Sequence, residues 1–168
     1  ISIGILGLGY IGLPLAVEFS KKFKVIGYDT NSKRVSELSK GKDINKEVKS
    51  TELNKANKIF FTNNYSDLNL CNVFIITVPT PINNKKEPDL RSLIKASRII
   101  GNIINKGNII IYESTLFPGA IEEICVPILE KNSGLAYNKD FFCGYSPERI
   151  NPGDNNHRLV HIKKITSG

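Results

Sequence analysis

The sequence has few of the residues and segments that mark several specialised classes of protein. Its 168 residues include no methionine, two histidines and three cysteines. No apolar run approaches the roughly 20 residues of a transmembrane helix, and the chain starts on an apolar strand pattern rather than on a secretory leader. We therefore expect no membrane partner and no signal peptide. The lack even of an initiator methionine indicates a piece of a longer polypeptide.

Cysteine and histidine occur in no arrangement that predicts a disulfide framework or a metal centre. Cys71, Cys125 and Cys143 are odd in number, far apart and set among apolar residues, unlike the spacings of disulfide or zinc sites. The sequence predicts buried, reduced thiols in a cytoplasmic protein. His157 and His161 lie in a polar stretch without a supporting ligand cluster, so we expect loop hydrogen bonds there and no metal.

The positive charge does not by itself indicate a nucleic-acid partner. The formal net charge is +7, but the lysines are scattered and interleaved with acidic residues. Proteins that bind nucleic acids concentrate basic residues in a stripe or combine them with aromatic platforms. We expect no nucleic-acid partner and a solvated basic surface that helps to attract an anionic nucleotide.

A glycine-rich segment near the start of the chain is the strongest single signal. Residues 3–15 read Ile-Gly-Ile-Leu-Gly-Leu-Gly-Tyr-Ile-Gly-Leu-Pro-Leu, a strand pattern that runs into a helical pattern. Gly7, Gly9 and Gly12 fit the G-x-G-x-x-G sequence of dinucleotide-binding folds, which combines a tight turn, close approach to a pyrophosphate and close helix–sheet packing. The helix N-terminus favours phosphate at the same place.

Such a glycine pattern also arises from packing alone, and Asp29 is what favours a cofactor site. A second strand pattern ends at Asp29, 22 positions after Gly7, and dinucleotide folds place the acid that binds the adenosine ribose roughly 20 residues after the glycines. A carboxylate there repels a 2′-phosphate, which predicts NAD rather than NADP. Arg34 leaves that choice partly open, because a nearby arginine can accept the phosphate.

Strand and helix patterns alternate along the rest of the chain. Apolar segments typical of buried parallel strands lie near 58–62, 72–78, 108–113 and 140–145. Helical patterns follow Asn31 or Ser32, Asp89 and Pro118, the second carrying apolar residues as far as Ile104. Residues 42–58 are polar and lysine-rich and predict a surface excursion. This alternation predicts an α/β fold with a doubly wound parallel sheet, a Rossmann-type domain.

Polar residues follow several predicted strands at their carboxyl ends, where such sheets bind ligands. Besides the glycines and Asp29, they are Thr80, Ser114, Thr115 and Glu148. Each also has a simpler interpretation. Thr80 fits a turn between two prolines, Ser114 and Thr115 fit a helix N-cap, and Glu148 fits a surface ion pair with Arg149.

Together these landmarks resemble the nucleotide-sugar 6-dehydrogenases, the family of UDP-glucose and UDP-N-acetylhexosamine dehydrogenases. The resemblance covers essentially the whole chain. After the glycine motif it is carried by Tyr-Asp-Thr-Asn (28–31), Val-Pro-Thr-Pro (78–81), Pro-Asp-Leu (88–90), Glu-Ser-Thr (113–115) and Tyr-Ser-Pro-Glu-Arg-Ile-Asn-Pro-Gly-Asp (145–154). The last segment, with His157 and Arg158, resembles the branch that acts on UDP-N-acetylhexosamines for surface polysaccharide.

The resemblance implies oxidation of the sugar C6 alcohol, most simply of UDP-N-acetylglucosamine, to a carboxylate with two NAD molecules in succession. The path runs through an aldehyde, a cysteine-bound thiohemiacetal and a thioester that water hydrolyses. Thr115 is implied to hold that water and Glu148 to orient or deprotonate it, with Glu148, Arg149 and Asn151 at the substrate. The implied cofactor-binding residues are Gly7, Gly9, Tyr10, Ile11, Gly12, Asp29, Arg34, Val78, Thr80, Ser114 and Thr115.

Two departures limit what the resemblance implies. The UDP-glucose branch has a second glutamate where this chain has Pro152. The family's nucleophilic cysteine and catalytic lysine lie in later domains, and no cysteine here matches that motif. We therefore expect residues 1–168 to be a single NAD-binding domain, the N-terminal part of a longer enzyme without its central helix and UDP-binding domain. The full-length enzyme is expected to be a homodimer.

Two other functions share part of the pattern. A non-catalytic dinucleotide-binding module, such as a redox-sensing regulator, accounts for the segment from Gly7 to Asp29 but gives no reason for residues 148–151. A different nicotinamide enzyme, such as a 3-hydroxyacid dehydrogenase, has a related first domain. Arg158 fits either a substrate phosphate or a solvated loop, and His157 has no assigned role.

Overall fold

A six-stranded parallel sheet forms the centre of the fold. The computed structural model describes residues 1–82, 86–148 and 165–168. The sheet order is β3-β2-β1-β4-β5-β6, and every neighbouring pair is parallel. The prediction of a doubly wound parallel sheet is confirmed. The strands are β1 (Ser2–Leu6), β2 (Lys24–Tyr28), β3 (Ile59–Thr62), β4 (Val73–Ile76), β5 (Asn108–Tyr112) and β6 (Phe141–Tyr145).

The last residues of five strands lie side by side. Leu6 pairs with both Tyr28 and Ile76, and Tyr112 pairs with both Ile76 and Tyr145. The residues that follow these strands therefore emerge together at one edge of the sheet. The chain order reverses between β1 and β4, which is the switch point where open α/β sheets bind ligands.

Helices cover both faces of the sheet. On one face α1 (Gly12–Ser20) packs on β1 and β2, burying Leu15 against Ile5 and Val25. On the other face α4 (Arg91–Gly101) and α5 (Val126–Ser133) cover the inner strands. Shorter elements connect the rest, namely α2 (Ser32–Ser39), α3 (Ser50–Lys55) and a 3₁₀ turn over Tyr65–Leu70. No helix within the described ranges is long and apolar enough to cross a membrane.

Local hydrogen bonds and burial, rather than the spacing of apolar residues, determine where the helices begin and end. Asn31 caps α2 as predicted, because its side-chain oxygen accepts hydrogen bonds from the two N–H groups of Lys33 and Arg34. The predicted extent of α4 was wrong at its C-terminus, since the helix ends at Gly101 rather than near Ile104. Ile104 remains buried in the turn that follows, which explains why its position fits the helical pattern.

The residues around the starts of α4 and α5 determine how these two helices begin. Leu90 is the N-cap of α4, and Asp89 accepts a hydrogen bond from the Arg91 N–H at 3.1 Å. Before α5 the chain forms a π-helical segment, Ile121–Cys125. This wider turn ends two residues before Pro127, whose missing N–H interrupts the hydrogen-bond pattern of an α-helix.

Residues 42–58 are more than a surface excursion. Val48 and Leu53 from this segment are 9% and 5% exposed and pack with Leu8, Leu13 and Leu38. The prediction of a surface excursion was therefore wrong at these two positions. Its apolar residues were too few for the sequence to show that they dock beneath the glycine-rich loop.

The thiols occupy the interior, as the sequence predicts. Cys71, Cys125 and Cys143 are all free and buried. Burial raises the pKa of each thiol, and for Cys143, which also lies near Cys125 and Glu122, to about 12. All three are therefore neutral at physiological pH.

Candidate functional site

A cavity of about 650 Å³ lies at the carboxyl edge of the sheet, over the switch point. The ends of β1, β2, β4 and β5 and one side of α4 form its wall. The residues that line it are Leu6, Gly7, Leu8, Gly9, Tyr10, Ile11, Tyr28, Asp29, Thr30, Thr77, Val78, Pro79, Thr80, Pro81, Ser92, Lys95, Ala96, Ile99, Ser114 and Thr115. Most of the residues singled out from the sequence as cofactor ligands thus share one cavity.

The glycine-rich loop shows a different environment at each glycine. Gly7 has φ +97°, a conformation that side chains rarely adopt. A Cβ on Gly12 would lie 1.8 Å from the Gly7 carbonyl oxygen, so α1 can approach β1 only with glycine there. A Cβ on Gly9 would meet nothing within 4 Å. Because Gly9 lines the cavity, that open space is where a ligand can reach the backbone.

Asp29 is fixed by backbone donors on both oxygens. Oδ2 accepts a hydrogen bond from the Leu8 N–H at 2.8 Å, and Oδ1 accepts one from the Asn31 N–H at 2.9 Å. The acid thus closes the glycine-rich loop onto the end of β2. Each carboxylate oxygen keeps a lone pair that can accept from a hydroxyl donor in the cavity.

Arg34 lies behind the glycine-rich loop and outside the cavity lining. Its side chain is 7% exposed, its Nε donates to the Leu8 carbonyl at 3.0 Å, and its Nη1 pairs with Asp43 at 2.6 Å. Asp43 in turn accepts hydrogen bonds from the Asn45 and Val48 N–H groups. In this arrangement Arg34 supports the loop through Leu8, and a direct contact with a cofactor stays a prediction.

Hydroxyl groups tie the loop after β4 to the loop after β5. Thr80 Oγ1 donates to the Thr115 carbonyl at 2.8 Å, and Ser114 Oγ donates to the Val78 carbonyl at 2.8 Å. Thr77 Oγ1 also donates to the carbonyls of Leu6 and Gly7. These bonds use the hydroxyl protons, and each oxygen keeps lone pairs that can accept a hydrogen bond.

Glu148 follows β6 and lies close to the glycine-rich loop without being part of the cavity lining. Burial raises the pKa of the Tyr10 phenol, and the carboxylates of Glu148 and Glu47 raise it further. The Glu148 carboxylate is therefore near enough to act electrostatically on Tyr10, which lines the cavity. Arg149 and Asn151, predicted at the substrate, lie outside the described residues, as do Pro152, His157, Arg158 and His161.

One wall of the cavity was missed by the sequence analysis. Ser92, Lys95, Ala96 and Ile99 of α4 line it. They recur at the spacing of one helix stripe, beside the apolar stripe that carries Leu93 and Ile100 into the core. The sequence shows that these four residues share one side of the helix, but it does not show that this side faces a ligand.

The residues of the cavity fit a nicotinamide dinucleotide. The space above Gly9 admits a pyrophosphate next to backbone N–H groups, and Asp29 lies where a ribose hydroxyl needs an acceptor. Apolar side chains such as Val78 and Ile99 offer apolar contacts to a base. In the described part of the chain, no three His, Cys, Asp or Glu side chains are grouped as for a metal ion.

Comparisons with known proteins agree with this geometry. The model of the UDP-glucose/GDP-mannose dehydrogenase family, NAD binding domain, matches residues 1–168. UDP-N-acetyl-D-glucosamine 6-dehydrogenases of Pseudomonas aeruginosa and Salmonella typhi are 59% and 56% identical over the whole chain, which covers 40% of each.

A solved structure gives the same result for the fold. The UDP-D-ManNAc dehydrogenase from Pyrococcus horikoshii has a TM-score of 0.86 and 35% identity, over 95% of this chain and 38% of that one. The chain therefore spans about 40% of the length of the curated relatives named above. It belongs to the UDP-glucose/GDP-mannose dehydrogenase family and is an NAD-binding domain of that family.

Proposed function

We propose that this chain is the NAD-binding part of a longer dehydrogenase that oxidises the C6 alcohol of a UDP-N-acetylhexosamine, with UDP-N-acetylglucosamine as the substrate. The product is the uronic acid used in surface polysaccharide. The observation that carries the proposal is the cavity in which Gly9, Asp29, Thr80 and Thr115 meet. The high identity to two UDP-N-acetyl-D-glucosamine 6-dehydrogenases supports this choice of sugar.

The chain's own residues divide into those that hold the cofactor and those near the reacting carbon. NAD supplies the hydride acceptor when it is bound. Gly9 admits its pyrophosphate, Asp29 accepts from its ribose, and the loops tied together by Thr80 and Ser114 hold the nicotinamide end. With these groups fixed by the protein's own hydrogen bonds, little order has to be gained on binding.

Thr115, which also contacts the cofactor, and Glu148 act on the catalytic water. Thr115 is exposed at the end of the loop after β5, with its carbonyl held by Thr80. Glu148 lies on the neighbouring loop after β6, near Tyr10. A hydroxyl can position a water molecule, and a carboxylate within hydrogen-bond reach can take its proton. Arg149 and Asn151 are proposed to bind the sugar nucleotide.

The remaining assignments concern the whole protein. The reduced thiols fit a cytoplasmic protein, and we place the enzyme there. The relatives are about two and a half times as long as this chain, since it covers 40% of each. We accordingly assign the nucleophilic cysteine, the UDP-binding domain and the homodimer contact to the rest of the protein.

The experiment is an assay of NADH production by the full-length protein with UDP-N-acetylglucosamine. Two NADH per sugar are expected, because the alcohol loses four electrons on its way to the carboxylate. Glu148→Gln should produce about two NADH per active site as the thioester forms and then stall, because the blocked step is the hydrolysis of that thioester. The exposed Glu122→Gln is the matched control and should keep the wild-type rate. One NADH per sugar at completion rejects the four-electron reaction, and an unchanged rate in Glu148→Gln removes Glu148 from the mechanism.

A further inference from the structure

Arg34 stands where a dinucleotide-binding fold can place a receptor for the 2′-phosphate of NADP. It is the third residue of α2, the helix that follows Asp29, and arginines near this acid accommodate the phosphate in NADP-binding relatives of the fold. The Arg34 Nε lies 3.0 Å from the Leu8 carbonyl oxygen. The backbone nitrogen of Leu8 in turn lies 2.8 Å from Asp29 Oδ2. The guanidinium and the ribose-binding acid are thus separated by a single residue of the glycine-rich loop.

The structure turns this guanidinium away from the cavity. Arg34 is absent from the cavity lining, its side chain is 7% exposed, and that of its partner Asp43 is fully buried. Asp43 binds Nη1 at 2.6 Å, while Nη2 has no hydrogen-bond partner within the described part of the chain. A buried guanidinium with an unsatisfied nitrogen is costly without a carboxylate beside it. The position of Arg34 therefore depends on Asp43.

Asp43 is itself held rigidly. Its Oδ2 accepts from the Val48 N–H at 2.9 Å and its Oδ1 from the Asn45 N–H at 3.2 Å. Val48 is buried with Leu53 under the glycine-rich loop. The carboxylate is therefore fixed in place by the segment that follows α2, and it cannot follow Arg34 if the guanidinium moves.

We infer that Asp43 is a specificity-determining residue for NAD over NADP, acting through Arg34. Its carboxylate keeps the guanidinium against Leu8 and neutralises a cation that could otherwise receive a 2′-phosphate beside Asp29. Two effects then favour NAD over NADP. Asp29 repels the 2′-phosphate, and Asp43 holds the Arg34 guanidinium away from it. The inference rests on the proposed cofactor site but is independent of the sugar.

The test is a double-mutant cycle on the full-length protein, with Kd for NADH and NADPH measured by fluorescence titration. In Asp43→Asn the ratio of Kd for NADPH to Kd for NADH should fall by about tenfold, the effect of gaining one charge-assisted hydrogen bond. In an Arg34→Gln background the same Asp43→Asn change should leave the ratio where it was. Glu37→Gln is the matched control, because it removes an acid from α2, the helix that carries Arg34, and should not change the ratio.

Three outcomes would overturn the inference. If Asp43 had only a structural role, Asp43→Asn would raise the Kd for NADH and the Kd for NADPH by the same factor and leave their ratio unchanged. An equal shift in the Arg34→Gln background would mean that Arg34 is not the receptor. An equal shift in Glu37→Gln would mean a general effect of negative charge. If wild type binds neither cofactor, the proposed function fails as well.

Thermal unfolding shows whether Asp43→Asn is folded. If Asp43→Asn does not fold, a second variant, Arg34→Lys, tests the same inference. In Arg34→Lys, the single ammonium group lacks the planar fork that holds both the Leu8 carbonyl and Asp43. A cation released in this way should also lower the Kd ratio, and an unchanged ratio would count against the inference.

Discussion

Gly9 and Gly12 stand three positions apart in the same loop but require glycine for different reasons. A Cβ on Gly12 would overlap the Gly7 carbonyl oxygen at 1.8 Å, whereas a Cβ on Gly9 would project into open space. Neither residue has a positive φ. Gly12 therefore serves the packing of α1, and Gly9 is needed only when a ligand occupies the cavity.

Alanine substitutions should separate the two roles. Gly12→Ala should lower the free energy of unfolding by about 3 kcal/mol, because the backbone has to shift to admit the methyl group. Gly9→Ala should change it by no more than about 0.5 kcal/mol but should raise Kd for NADH at least about tenfold. Urea denaturation and NADH titration give the two quantities. Wild-type affinity in Gly9→Ala would place the pyrophosphate elsewhere.

The sequence predicted individual site residues where one local pattern defines them. The three glycines and Asp29 belong to a motif whose spacing follows from backbone geometry. The placement of Arg34 was not predictable, because it depends on Asp43, nine positions away in a segment without a clear pattern. An arginine after β2 is compatible with either cofactor until its partner is known.

At the scale of elements, the segment between α2 and β3 packs against the glycine-rich loop. Leu53 of α3 and Val48 pack with Leu8 of the glycine-rich loop. The same segment carries Asp43, which holds Arg34. This polar, lysine-rich segment therefore contributes both apolar packing and an ion pair to the support of the glycine-rich loop.

Truncation of Leu53 should show that this segment is part of the core. Leu53→Ala should cost about 3 kcal/mol in the free energy of unfolding, as for other buried leucines. Leu70→Ala is the matched control, because Leu70 is 76% exposed while Leu53 is 5% exposed, and it should cost less than about 0.5 kcal/mol. Equal effects in urea denaturation would show that the segment is only loosely attached.

Periodicity predicted the existence of the main helices better than their ends. The pattern of α4 continues to Ile104 because the turn after Gly101 is also buried. The π-helical segment before Pro127 depends on how the chain satisfies its carbonyls around a missing N–H. Such ends are decided by hydrogen bonds and burial that no single-residue pattern records.

At the scale of the whole molecule, the strand order decides where chemistry can occur. The aligned ends of five strands bring residues far apart in sequence to one edge. This convergence was predictable, because parallel strands alternating with helices leave few topologies. The α4 wall was not, since it depends on how that helix is rotated over the sheet.

The three thiols limit what the chain can do by itself. Cys71, Cys125 and Cys143 are buried, none lines the cavity, and the pKa of each is raised above its ordinary value. A thiol becomes a nucleophile only as the thiolate, in reach of its substrate. A reaction through a cysteine-bound intermediate therefore needs a cysteine from outside residues 1–168.

Binding and turnover should accordingly separate when the 168-residue chain is tested alone. Millimolar NADH should raise its melting temperature by mass action, because a ligand that binds only the folded state stabilises it. The same preparation should produce no NADH from NAD and UDP-N-acetylglucosamine, while the full-length protein should. Asp29→Ala is the control for the cofactor site and should remove most of the NADH-dependent shift. Turnover by the short chain would mean that one of its buried thiols, or a mechanism without cysteine, carries the reaction.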